Sequence, residues 1–224
     1  MSKPGWKHWE DVKNIFQYLR GTEDVQLMFG SDSPIKVEGF IDSEYTGNPD
    51  NWMSTSGYVF TYGGHAISWR SKLQDCTTLS ITEAEYIAAS EATKEAIWLH
   101  QLLADFSAKD PNDHLVPTLY CNSESAIHII TNLVYHPKTT HIEVRYHHIR
   151  ELVTNKKLEV QKVDTEVNIT NSLTKTLLDQ RFNALTGHMG LQQATEQRRA
   201  KRKVEGTSKN GMTRQVEGTN QPEG

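Results

Sequence analysis

The chain patterns as an α/β domain, a five-stranded mixed sheet flanked by helices, and three observations predict this. Five short segments have strand character, the first three consecutive; a long segment after the third follows a helical period; and the last two strand-like segments are flanked by helical ones. Three sequential strands followed by βαβ-like units imply antiparallel and parallel pairing within one sheet.

Taken in order, Pro4 to Thr22 places Trp9, Val12, Ile15, Phe16 and Leu19 at helical spacing with Gly21 as a stop, which reads as an amphipathic helix in need of a partner surface. Lys36 to Asp42 alternates in period two, and Ser56 to Tyr62 and His65 to Arg70 follow as strands across Gly63 and Gly64. Ser80-Ile-Thr-Glu83 has the form of a capping box, so a long helix starts at Ile81 with a stripe through Ile81, Glu85, Ala88, Ala92, Ala96, Leu99 and Leu103. Pro117 to Cys121 and Leu158 to Val163 are short strands between helices, and terminal helices close the domain. Trp69 and Trp98 have apolar neighbours and are expected in the core. Three parts result: residues 1–30 with the first helix, 31–191 as the body, and 192–224, a polar stretch with Val-Glu-Gly-Thr twice, expected to be disordered.

Composition narrows the function classes. A chain of 224 residues can bury a core without staples. Only Cys76 and Cys121 carry thiols and no apolar run follows Met1, so a disulfide scaffold, a secretory signal and a membrane span are unsupported, and a reducing compartment, cytosol or nucleus, is expected. With 24 Lys and Arg against 28 Asp and Glu there is no bulk attraction for nucleic acid, so binding depends on local patches. Arg198-Arg-Ala-Lys-Arg-Lys203 is such a run, readable as a nuclear address, a nonspecific nucleic-acid arm or a solvated tail.

Two carboxylates stand out. Glu85 falls on the apolar stripe, where an ionised group is costly unless paired or metal-bound. The competing reading puts it at the stripe's edge, reaching solvent or an arginine. Asp42 ends a strand, a common turn position, and gains interest only beside Glu85.

Several motifs carry a family resemblance. Gly39-Phe-Ile-Asp-Ser-Glu-Tyr-Thr-Gly47, Ser54-Thr-Ser-Gly-Tyr-Val-Phe60, Ala66-Ile-Ser-Trp69, Leu79-Ser-Ile-Thr-Glu-Ala-Glu-Tyr86 and Lys94-Glu-Ala-Ile-Trp-Leu99 are followed by Tyr120-Cys-Asn-Ser-Glu-Ser-Ala126, Thr140-His-Ile-Glu-Val-Arg-Tyr-His-His-Ile-Arg-Glu151 and Asn171-Ser-Leu-Thr-Lys175. In order and spacing these blocks resemble the ribonuclease H domain of copia-type retrotransposon Pol polyproteins, from about Lys3 to Leu191, and the first helix resembles the segment joining it to reverse transcriptase. The resemblance implies a ribonuclease H-like fold, an RNA/DNA hybrid or other nucleic acid as partner, an association with a reverse transcriptase domain, and Mg²⁺ or Mn²⁺ as cofactor.

It also implies four acids holding two divalent ions. Asp42 and Glu85 match two of them and are the expected metal ligands; Asn122 and Asn171 stand where the family pattern has Asp. Two divalent ions about 4 Å apart repel by roughly 15 kcal/mol at an effective dielectric near 20, and two carboxylates offset far less of this than four. One ion bound weakly near Asp42 and Glu85, and impaired hydrolysis, are therefore expected. A noncatalytic nucleic-acid-binding or interaction module is the alternative. An active ribonuclease would need a substitute acid among Glu44, Asp75 and Glu124, with Glu124 favoured because it lies two residues from Asn122. Arg145, His147, His148 and Arg150, with Lys156 and Lys157, form the densest basic stretch of the body and are candidate phosphate contacts. The spacing of His141, His147 and His148 does not suit zinc. The resemblance implies a flexible histidine in the neighbourhood of His141 without fixing its position.

Overall fold

The computed structural model describes residues 4–30, 35–47, 52–106, 116–132 and 143–194. Two compact units result, one of Met1–Met28 with Leu191–Gly224 and one of Phe29–Gly190. In the first, α1 (Trp6–Gly21) is the expected helix, with Trp9, Ile15, Phe16 and Leu19 all exposed. A short antiparallel pair joins β1 (Val25–Leu27) to β7 (Leu191–Gln193). The polar segment expected to be disordered from Gln192 thus begins inside a strand: backbone pairing with Val25 and Gln26 is indifferent to the polarity of the glutamine side chains. Residues 195–224, including the basic run at Arg198, lie outside the described residues.

The larger unit contains β2 (Val37–Glu44), β3 (Thr55–Tyr62), β4 (His65–Leu73), α2 (Ile81–Phe106), β5 (Thr118–Cys121), α3 (Glu124–Thr131), α4 (Glu143–Thr154), β6 (Glu159–Lys162), α5 (Asn171–Thr174) and α6 (Asp179–His188). Its five strands run in the order β4-β3-β2-β5-β6, antiparallel across β4, β3 and β2 and parallel from β2 through β5 to β6, as predicted. The core sits where α2 crosses the sheet. Ala89, Ala92 and Ala96 offer small side chains that let the helix lie close to Val37, Ile41, Tyr58 and Phe60, while Leu119, Ile130, Ile149 and Leu158 extend the same cluster.

Central strand β2 carries Gly39 in register with Phe60 on one side and Leu119 on the other. A Cβ at this position would lie 2.4 Å from the Phe60 ring and 2.6 Å from a Leu119 methyl, so the absent side chain is what lets its neighbours close over the strand. Gly39→Val is expected to lower stability by about 2–3 kcal/mol, read as a reduced urea midpoint, through overpacking.

The α2 cap forms with a shift: Ser80 Oγ accepts from the Glu83 N–H at 3.1 Å, and the Glu83 carboxylate accepts from the Leu79 N–H at 2.7 Å, one residue before the expected partner. Ile81, expected on the buried stripe, is exposed, because the first turn extends past the covered face along with Leu79 and Ser80. Trp69 and Trp98 are also not core residues. Trp69 is 59% exposed on edge strand β4, whose run from Trp69 to Lys72 is exposed, and Trp98 is 54% exposed because it lies about 100° around the helix from Leu99. Trp6, Trp9 and Trp52 are exposed as well, which accounts for all five tryptophans of the chain. Both cysteines are free, and burial pushes the Cys121 thiol up to about 12, so it is inert at neutral pH. Among the described residues no helix is long and apolar enough to cross a membrane.

Candidate active site

The sheet register builds the site. Parallel pairing sets Ile41 beside Cys121, so the next residues, Asp42 and Asn122, emerge side by side. Asn122 Nδ2 donates to Asp42 Oδ1 at 3.3 Å. Antiparallel pairing sets Asp42 beside Gly57, and a Cβ on Gly57 would lie 2.5 Å from the Thr174 methyl. Glycine there gives α5 its seat, and from that seat the Thr174 hydroxyl donates to Asp42 Oδ2. Ahead of α5, Asn168 Nδ2 donates to the Ile41 carbonyl at 2.8 Å, tying the segment to β2.

Lys175 completes the arrangement. Its ammonium donates to Asp42 Oδ1 at 2.9 Å and to Asn171 Oδ1 at 2.8 Å, while Asn171 Nδ2 donates to the Thr165 carbonyl at 2.6 Å. Asp42 is fully buried and accepts from Asn122, Thr174 and Lys175. Side-chain donors thus replace the water this buried carboxylate has lost.

From α2, Glu85 enters the same pocket. It is 4% exposed, which removes the alternative of a stripe-edge residue reaching solvent. Burial, and then the charge of Asp42, push its carboxyl up to about 8, against the opposing effects of Lys175 and of hydrogen bonding at Ser43. At neutral pH this group holds its proton. Glu85 Oε2 and Asn122 Oδ1 are buried and have no hydrogen-bond partner among the described residues. All four positions singled out in the sequence therefore lie together, with the Asp42 carboxylate paired to the Lys175 ammonium.

This donor set does not fit a pair of divalent ions. Two carboxyls and two amides supply less negative charge than four carboxylates, and an ammonium already occupies Asp42 Oδ1. Among the described residues no three His, Cys, Asp or Glu side chains converge into a metal-binding group. The substitute acids do not change this. Glu124 is exposed and paired with Lys162, which holds its carboxyl below the usual carboxylate range; Asp75 pairs with Lys72 at 2.8 Å. Glu44 lies against Gly47.

Of the basic stretch, His148 is exposed on α4, and Arg150 Nε donates to the Ile129 carbonyl at 2.8 Å, a tie between α4 and α3. The side chains of Arg145 and His147, and all of His141, lie outside the described residues. The sequence reading gives no site role to Lys175, Thr174 or Asn168, although the first two stand in the block from Asn171 to Lys175. The first left a signal: it follows Asn171 by four residues, the spacing that puts side chains on one helix face.

Over 191 residues the chain is 45% identical to the retrovirus-related Pol polyprotein from transposon TNT 1-94 of Nicotiana tabacum, a match that covers 85% of this chain and 14% of that polyprotein. It is 31% identical over 191 residues to the retrovirus-related Pol polyprotein from transposon RE2 of Arabidopsis thaliana, covering 85% of this chain and 13% of the relative. The chain belongs to the copia-type retrotransposon Pol family. This Pol segment thus spans about one-seventh of the length of those relatives. No protein-family model matches it. Among solved structures, LC11-RNase H1 isolated from compost aligns with the Pol segment at 18% identity and a TM-score of 0.48, covering 68% of this chain and 99% of that one. The larger unit has the five-stranded mixed sheet flanked by helices, of order β4-β3-β2-β5-β6, that the resemblance led one to expect.

Proposed function

We propose that this Pol segment is a ribonuclease H-like domain that binds RNA/DNA hybrids and in which metal-dependent hydrolysis of the RNA strand is impaired. The observation that carries the reading is the state of Asp42: at the centre of four positions that the family resemblance assigns to acids, it is hydrogen-bonded by Asn122 and neutralised by Lys175. With amides in place of acids at 122 and 171 the site repels phosphates less, which favours retention of hybrid binding after the loss of chemistry. Mg²⁺ or Mn²⁺ is the cofactor of the family chemistry, and one ion here would have to displace Lys175. The exposed Trp9, Ile15, Phe16 and Leu19 of α1 suit docking to a reverse transcriptase domain of the same polyprotein.

Fluorescence anisotropy with a labelled RNA/DNA hybrid tests the binding part. The hybrid is expected to bind at least about tenfold more tightly than a single strand of random sequence at the same salt, with little RNA cleavage in Mg²⁺. Equal affinity for both ligands would remove the hybrid reading, and robust cleavage by the chain as written would remove the impairment.

A further inference from the structure

The cation in this pocket belongs to the chain itself. Lys175 follows α5, whose position is set by the Thr174 methyl against Gly57, by the Thr174 hydroxyl on Asp42 and by the Lys175 N–H donating to the Asn171 carbonyl at 3.0 Å. The ammonium is therefore delivered from a fixed backbone. Two of its three donors are engaged, on Asp42 at 2.9 Å and on Asn171 at 2.8 Å, and the second acceptor exists because an amide stands at position 171. Asp42 has no exposure to water, so removing the ammonium strands a buried carboxylate, a change far more damaging than loss of a surface pair. Beside it, Glu85 Oε2 and Asn122 Oδ1 are oxygen atoms with no donor among the described residues.

We propose that Lys175 is the resident cation of this pocket, standing where a divalent ion would otherwise balance Asp42, so that the chain neither needs nor tightly binds Mg²⁺ or Mn²⁺ and gains affinity for them when position 175 loses its charge. The proposal rests on the reading of Asp42 and its neighbours as the remnant of a metal centre, and it is independent of hybrid binding. A divalent ion approaching the unpartnered oxygens of Glu85 and Asn122 meets the ammonium first. With that charge removed, Asp42 and those two oxygens become a small, hard, oxygen-only donor set of the kind such ions take.

The test uses the whole chain and Mn²⁺ alone, followed by titration calorimetry and by thermal unfolding in Mn²⁺ or EDTA. The unmodified chain is expected to show no site tighter than about millimolar and the same Tm in both solutions. Lys175→Met is expected to melt lower in EDTA, to bind Mn²⁺ at least about tenfold more tightly than the unmodified chain and to recover part of its Tm in Mn²⁺. Adding Asp42→Asn to that variant abolishes the recovery. Lys175→Arg, which keeps the charge, behaves as the unmodified chain. A micromolar Mn²⁺ site in the unmodified chain overturns the proposal, as does a Lys175→Met variant that is stable and blind to metal, or a Lys175→Arg variant that gains metal affinity. Should Lys175→Met not fold, the unmodified chain and Lys175→Arg decide the matter, while hybrid affinity, measured separately, bears only on the functional reading.

Discussion

Replacing Asn122 and Asn171 together by aspartate is expected to raise Mg²⁺-dependent cleavage of the RNA strand of a labelled hybrid by at least about a hundredfold over the chain as written, the scale on which removing preorganised electrostatic groups lowers a rate. The reasoning starts from the hydrogen bonds. Asn122 now donates to Asp42 at 3.3 Å, and an aspartate in its place puts two carboxylates at that separation. Their repulsion is about 5 kcal/mol at an effective dielectric near 20, more than the single Lys175 ammonium can offset for both new charges. The double revertant is therefore expected to be less stable in EDTA and to be rescued by Mg²⁺, a dependence the parent lacks. Cleavage appearing together with metal-dependent stability supports the damaged-centre reading; a revertant that folds, stays indifferent to Mg²⁺ and cuts nothing counts against it. Gain of cleavage in the single variant Asn122→Asp alone would place the whole defect at that strand end.

Stability is expected to fall as pH rises between about 4.5 and 8, and Glu85 is the cause. In the unfolded chain its carboxyl releases a proton near 4.5, whereas the folded pocket holds that proton up to about 8. Across this interval the native state binds the extra proton, so the derivative of unfolding free energy with pH is negative. The full shift corresponds to a penalty of about 5 kcal/mol above pH 8, reduced by whatever water or side-chain movement the ionised pocket permits. Glu85→Gln keeps the shape and carries no titrating proton. It is expected to match the parent below pH 4.5 and to exceed it by several kcal/mol at pH 9, measured as the difference between urea unfolding midpoints, in which other titrations cancel. A midpoint difference that does not widen with pH would mean that the carboxylate finds a partner when it ionises.

How much of this was legible beforehand follows from the range of the interactions. The capping residues of α2 and the alternation in β2 are local, and a reader of residues finds them. Glu85 betrays itself because a helix projects every third or fourth side chain onto one face, and a carboxylate among alanines is conspicuous there. Lys175 lies 133 positions from Asp42, and its spacing from Asn171 points to a shared face but not to the distant carboxylate that face meets. The β1 and β7 pair escaped for a related reason: three-residue strands joined only by backbone bonds leave no side-chain periodicity. Trp69 and Trp98 are apolar without being buried, and the one-residue offset of Trp98 from Leu99 points it off the stripe.

The outward placement of all five tryptophans also sets how this molecule looks to light. Their indoles sit in water in the native state, from 54% exposed at Trp98 to 70% at Trp6, while fully buried Tyr86 and nearly buried Tyr58 are the aromatic reporters of the interior. Tryptophan emission will thus start red-shifted and change little as the chain unfolds. It will instead respond when something settles on the surface, so the same five chromophores that make a poor thermometer of folding make a sensitive gauge of docking.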